Sequence, residues 1–346
     1  MTTEPTGAIR DSRELVLAHL AGDEVDRLPA MPITMMFAAR LAGIPYADYC
    51  RDATQLARAQ SLVAERFGFD HVSCISDPTR EAGDLGARIE WFEDQPPAID
   101  EANALLADPR DLASLRVPDP LGGGRMADRV RAVGLLRSSG GASRIIEGWV
   151  EGPCAEGADL RGINTLMLDF YDDPGFVDDL FDFATRTAMA FAGAQVDAGV
   201  DIVGIGDAAA SLVGPAIYEE MVWPHEKRLI DHIHGLGAKV RLHICGNMSR
   251  SVEALGRLGA DIIDLDSLVP LEPARAAVGP DQVLLGNLNP VTELMTSTPA
   301  AIATELAERH RQAGPRWIVG AGCEIPAATP PENVEALVAY ARGTRP

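Results

Sequence analysis

The chain carries a histidine and a cysteine one residue apart, in His243-Ile244-Cys245, and another cysteine much later, in Gly322-Cys323-Glu324. On a strand, side chains alternate faces with period two, so His243 and Cys245 project to the same side and can grip one ion. Cys323 offers a third soft donor, and a His/Cys/Cys set suits zinc better than magnesium or calcium. Three protein ligands leave one coordination position open, as a catalytic centre requires. An H-x-C pair alone carries little weight, because cysteine is often only a small buried filler. The other cysteines, Cys50, Cys74 and Cys154, lack such company and read as core or loop residues, with Cys154 placed to border the site. His225, His232, His234 and His310 fall in helical patterns and read as surface residues.

The elements that must position these groups can be read from periodicity. Eight runs rich in Val, Ile and Leu, near 29–34, 71–76, 144–150, 201–206, 239–245, 261–266, 283–288 and 317–323, read as parallel strands buried on both faces. Helical patterns lie between them. Asp11 with Glu14, and Thr329 with Glu332, form capping boxes; Ser249 stands before Val252, Leu255 and Leu258; Thr298-Pro299 opens another helix. Leu56, Ala59, Val63 and Phe67 have the spacing of a helix lying on a sheet. Strands alternating with helices, and no Gly-rich phosphate fingerprint after the first strand, favour a closed barrel over an open doubly wound sheet. The expected fold is an α/β single (β/α)8 TIM barrel filling 1–346, with an N-terminal helical extension over 1–27. The least regular connection runs from Ala98 to Arg144, where Gly122-Gly123-Gly124 reads as a loop in a helix-poor stretch.

In a barrel the carboxyl ends of the strands build the catalytic face. Those ends carry Asp77, Asp207, His243, Cys245, Asp266, Asn287, Asn289 and Cys323, which converge on one polar, metal-competent rim. Asp207 has a competing reading as the N-cap of 208–212.

Composition narrows the setting. With 30 Lys+Arg against 51 Asp+Glu, the net charge of -21 lacks the footprint of a nucleic-acid or anionic-membrane binder. Arg40 and Asp207 interrupt the two most apolar stretches, so no membrane span is expected. Met1 to Leu15 is polar and mixed in charge, unlike a secretory signal, and five scattered cysteines do not make a disulfide scaffold. A cytoplasmic protein with a large core is the expectation.

Several runs resemble the uroporphyrinogen decarboxylase superfamily over nearly the whole chain: Ile75-Ser76-Asp77, Glu151-Gly152-Pro153, Asp207 with Ser211-Leu212, and Gly286-Asn287-Leu288. Within it the chain looks like the cobalamin-dependent methyltransferases typified by methylcobalamin:coenzyme M methyltransferase. His243-Ile244-Cys245-Gly246-Asn247, Gly322-Cys323-Glu324-Ile325-Pro326 and Thr329-Pro330-Pro331-Glu332-Asn333 are similar to their zinc signature. The decarboxylases of the superfamily instead carry a histidine where Cys323 stands. They also carry an arginine-rich loop after the first strand, where 32–43 supplies only Arg40.

The resemblance implies a zinc-dependent methyltransferase moving a methyl group from methylcobalamin, or from a protein-bound methylcorrinoid, to a coenzyme M-like thiol. A separate corrinoid carrier protein is the implied partner. His243, Cys245 and Cys323 would be the catalytic metal ligands, and Asp266 the carboxylate filling the fourth zinc position without substrate, with Asp264 as the fallback. Asp77, Asp207 and Asn287 would line the substrate pocket. Coenzyme M, another small thiol and a folate remain open as acceptors. The alternative is a metal-free tetrapyrrole decarboxylase of porphyrin biosynthesis, with Asp77 accepting from pyrrole N–H groups; a non-catalytic corrinoid or tetrapyrrole binder is the third reading.

Overall fold

Runs of Val, Ile and Leu pair side by side into one parallel sheet in the computed structural model, which describes residues 11–139 and 143–346. The described strands in chain order are β1 (His71–Ser73), β2 (Ile89–Glu90), β3 (Ala98–Ile99), β4 (Ile145–Glu151), β5 (Ile202–Gly206), β6 (Lys239–Ile244), β7 (Ile262–Leu265), β8 (Val283–Leu285) and β9 (Trp317–Ile318). β2 and β3 form a small antiparallel pair, and the other seven make a curled sheet in the order β1-β4-β5-β6-β7-β8-β9. The register carries one continuous row across it: Glu151, Gly206, His243, Asp264, Leu285 and Ile318. Parallel partners share a face, so this row sets Glu151, His243 and Asp264 at one height.

The expected strand at 29–34 is not a full strand. It makes one β-bridge, Ala30 to Val319, and hydrogen bonds to both sheet edges: Asp70 N to Ala30 O, and Met31 N to Val319 O. Pro29 and Pro32 remove the donors a longer ladder would need. Seven strands and a bridged segment therefore stand where eight strands were expected.

On the inner face, Ile145, Ile202, Ile262, Val283, Leu285 and Ile318 pack with Met31 and with Val16 of the Ser12–Ala21 helix. That helix is the described part of the expected extension; residues 1–10 lie outside the described range. Asp11 caps it through Glu14 N, and Gly22 closes it at φ 86°. The Ala53–Phe67 and Pro299–Ala313 helices also match their sequence signals, capped by Asp52 and Thr298.

Two capping expectations fail. The Pro331–Gly343 helix starts one residue later than Thr329 requires, because Pro330 and Pro331 occupy the cap and the first turn, and the Thr329 hydroxyl is left buried without a partner. The Val252–Leu258 helix follows Ser251, and Ser249 stays in the preceding turn, donating its N–H to Asn247. The stretch expected to be helix-poor contains the Arg125–Ser138 helix, whose Met126, Arg129, Val133 and Leu136 are buried. His225 is also buried, edge-on to Phe181 and 3.0 Å from Asp178, where a surface position was expected. No described helix is long and apolar enough to cross a membrane.

His19, under the sheet, and His71, on β1, are held neutral chiefly by burial, which pulls both down to about 4 from 6.5. A histidine whose folded-state value is depressed stabilises the fold above its unfolded value and loses that contribution as pH falls through the folded one. The unfolding free energy from denaturant titration should therefore drop between about pH 6.5 and 4, by about 1–3 kcal/mol per histidine. His19→Leu should shallow that slope; an unchanged slope would count against this origin.

Candidate metal centre

His243 is the penultimate residue of β6 and Cys245 the first beyond it, while Cys323 lies on the chain leaving β9. The curl of the sheet brings the three together, with one ligand atom from each inside a 4.8 Å group. His243 Nε2 is 3.0 Å from Cys245 Sγ, and the two sulfurs are 3.6 Å apart. That sulfur separation is far beyond the roughly 2.05 Å of a disulfide. It is close to the edge of a zinc tetrahedron, about 3.7 Å for Zn–S bonds of about 2.3 Å. The donor set and spacing thus fit a zinc ion.

The imidazole is oriented from behind. Its Nδ1 lies 3.2 Å from both the carbonyl and Oδ2 of Asp264, which leaves Nε2 for the sulfurs. Asp264 Oδ2 also accepts from Arg241 Nη2 at 2.7 Å, and Arg241 Nη1 reaches Glu147 at 3.0 Å; all three side chains are fully buried. Burial alone would lower the His243 pKa, but Asp264 and Cys245 outweigh it and raise it. The Cys245 hydrogen bond, with His243, pulls Cys323 down to about 4, while the same sulfur contact and burial push Cys245 up. An ion there would take the place of protons that the trio now shares.

The trio forms one side of a cavity of about 180 Å³, walled by Ile33, Met35, Ile75 and Trp149. Trp149 fits because Gly204 lies beneath it: a Cβ there would stand 2.1 Å from the ring. Three carboxyls reach the cavity. Asp77 holds a bidentate ion pair with Arg125 and also accepts from Ser76 and Thr79, so five hydrogen bonds saturate its two oxygens. Burial would raise the Asp77 pKa, yet Arg125 holds it well below the usual carboxylate range. Glu151 is 2.7 Å from Arg80. Glu324 accepts from the backbone N–H groups of Met35 and Met36, and burial pushes it up to about 8.

The remaining expected residues serve other ends. Asp207 accepts from Ala155 N and Cys154 N, capping the Pro153–Arg161 helix across space and not its own 208–212 turn. Burial raises it to about 6, against the hydrogen bonds with Ala155, Glu226 and Cys154, which lower it. Gly152 is required there, since a Cβ would lie 2.4 Å from Asp207. Asn287 donates to the carbonyls of Asp266 and Val269, and Asn289 caps the Pro290–Met295 turn. Asp266 accepts from Gly246 N and Leu268 N, each at 2.8 Å, and stands outside the trio's group. Arg125, Arg241, Glu147 and Glu324 were not singled out by the sequence. The apolar spacing of Met126, Val133 and Leu136 was the available sign of the helix that delivers Arg125.

The family model described as uroporphyrinogen decarboxylase (URO-D) matches residues 11–344. A methylcobamide:CoM methyltransferase of Methanosarcina mazei is 27% identical over 340 residues, covering 96% of this chain and 98% of its own. A uroporphyrinogen decarboxylase of Nocardia farcinica is 28% identical over 290 residues, covering 82% and 79%. Among solved structures, a methyltransferase from Methanosarcina mazei overlays with a TM-score of 0.87 at 23% identity, covering 95% of this chain and 98% of that one, a likeness of fold. Identity alone does not separate the two activities.

The geometry predicts an order of thiol reactivity. In metal-free protein near pH 6, iodoacetamide should alkylate Cys323 first and Cys245 more slowly. Cys50, Cys74 and Cys154 are buried, with their pKa values raised mainly by burial, and should stay unlabelled until denaturation. Peptide mass spectrometry over time reads the order; labelling of Cys154 ahead of Cys323 would contradict it.

Proposed function

The chain belongs to the uroporphyrinogen decarboxylase family, and from that premise we propose that it is a corrinoid-dependent methyltransferase whose acceptor is a small thiol activated at zinc. The observation that carries this reading is the His243, Cys245 and Cys323 trio, gathered at the wall of a largely apolar cavity. In this reading the bridged segment at 29–33 is the eighth stave of a (β/α)8 barrel.

Zinc in this ligand set would leave a fourth position for the substrate thiol and hold it as thiolate at neutral pH. The chain's own residues prepare that position. Asp264 fixes the ring of His243, and Arg241 fixes Asp264. Ile33, Met35, Ile75 and Trp149 give the nucleophile an apolar wall, beside which electrostatic interactions are stronger than in water. A methylcorrinoid would supply an electrophilic methyl group: the thiol would give up its proton and its sulfur bond to the methyl carbon, the electron pair of the carbon–cobalt bond staying with cobalt. The methyl donor would be methylcobalamin or a methylcorrinoid presented by a separate carrier protein at the cavity mouth. Five free cysteines, two of them unlinked at 3.6 Å, suit a reducing cytoplasm.

The decarboxylase reading has the likeness to the Nocardia farcinica protein in its favour. Two observations weigh against it. A cavity of about 180 Å³ is below the roughly 300 Å³ at the low end of ligand sites and far from the size of a tetrapyrrole. Asp77, the expected partner of pyrrole N–H groups, already has five donors.

Purified protein should contain about one zinc per chain. Cys245→Ser and Cys323→Ser should lose most of it, while Cys50→Ser and Asp266→Ala should retain it. Methyl transfer from free methylcobalamin to a thiol should vanish on chelation and return with zinc. Incubation with uroporphyrinogen should give no coproporphyrinogen above the enzyme-free control. Full zinc content in Cys323→Ser, or thiol methylation by the metal-free protein, would overturn the proposal.

A further inference from the structure

The ionisable groups on the cavity wall are one-sided. Among the described residues, the carboxyls of Asp77, Glu151 and Glu324 reach it and no lysine or arginine lines it. Two arginines stand behind these acids and are paired, Arg125 with Asp77 and Arg80 with Glu151 and Glu81, while Arg241 is paired with Asp264 and Glu147. Arg40 lines a separate surface hollow, together with Glu93 and Asp94. The rest of the wall is apolar, formed in large part by Ile33, Met35, Ile75 and Trp149.

A sulfonate, phosphate or carboxylate carried into this cavity would therefore lose its water and find no free cation to pair with. It would also face the negative charge that a bound thiolate brings to a centre that zinc, two thiolates and an imidazole have already made neutral. Building on the thiol-methyltransferase reading above, we infer that the acceptor is a small alkanethiol whose tail carries no anionic group. The tail is uncharged, or bears an ammonium, which would meet only carboxyl oxygens among the polar side chains beyond the metal trio. A sulfonate-bearing thiol of the coenzyme M kind is discriminated against.

The cavity's potential can be read without zinc or turnover. The full chain after chelation, with unchanged circular dichroism, is treated with 2-aminoethyl and 2-sulfonatoethyl methanethiosulfonate, reagents of matched length. The rates of modification at Cys245 and Cys323 are each divided by those for free 2-mercaptoethanol. At about 0.5 M salt the Debye length is under about 5 Å, so the acidic outer surface is screened and the cavity dominates. The normalised rate should favour the aminoethyl reagent by about tenfold or more. Asp77→Asn, which releases Arg125, should narrow that gap. A ratio near one, or one favouring the sulfonate, overturns the inference. The zinc-loaded enzyme supplies the second arm: with free methylcobalamin, kcat/KM should be at least about tenfold lower for 2-mercaptoethanesulfonate than for cysteamine or 2-mercaptoethanol. If the sulfonate is the best acceptor, this inference fails while the methyltransferase reading stands. If none of the three is methylated, that reading fails and takes this inference with it.

Discussion

One carboxylate oxygen, Oδ2 of Asp264, lies 2.7 Å from the guanidinium of Arg241 and 3.2 Å from the ring of His243, with no exposure to solvent. Arg241 is pinned in turn by Glu147 at 3.0 Å, and His71 stands 3.8 Å from that glutamate on the next strand. Charges so buried cost several kcal/mol each to desolvate, and removing one partner typically costs about 3–5 kcal/mol. The arrangement therefore tolerates few substitutions and holds one geometry. Glu147 and Arg241 pair in register with Ile202 and Ile262, so this rigid polar layer is set among the apolar side chains of the inner face. The imidazole of His243, in register with Asp264, has one nitrogen committed and the other free to face the sulfurs.

Above the polar layer, glycine decides what fits. Gly204 and Gly206 leave the room that Trp149 occupies, and Gly322 allows the chain bearing Cys323 to pass Ser267, where a Cβ would stand 2.3 Å from the backbone nitrogen. A side chain at any of these positions would push the cavity wall or a sulfur out of place. The strand Ile202–Gly206 and the run around Cys323 thus owe these glycines to close approach.

The sequence made most of the strands, their parallel pairing and the shared face of His243 and Cys245 legible because each follows from a short-range rule. Apolar runs mark strands, parity puts His243 and Cys245 on one face, and parallel strands expose their carboxyl ends together. Misreadings arose where two distant segments decide the outcome. Asp207 has the position of a cap for the next turn, yet it caps the Pro153–Arg161 helix, a choice fixed by packing between β4 and β5. Asp77 gave no sign that Arg125 would reach it from a helix past a glycine run, since no local spacing connects them. The seam at 29–34 was overread because its apolar content outweighed Pro29 and Pro32, although the missing donors were visible.

Cys245 and Cys323 are 78 residues apart, one leaving β6 and the other β9, next to the segment bridged only through Ala30 and Val319. An ion held between them would act as a clasp on the final third of the chain, because the unfolded polymer would have to give up the closure of that long loop. Binding that favours the folded state adds about 4 kcal/mol when free ion exceeds its dissociation constant a thousandfold. Metal supply would then govern how long each molecule survives proteolysis as well as whether it turns over, so that scarcity would thin the population of the protein and not merely idle it.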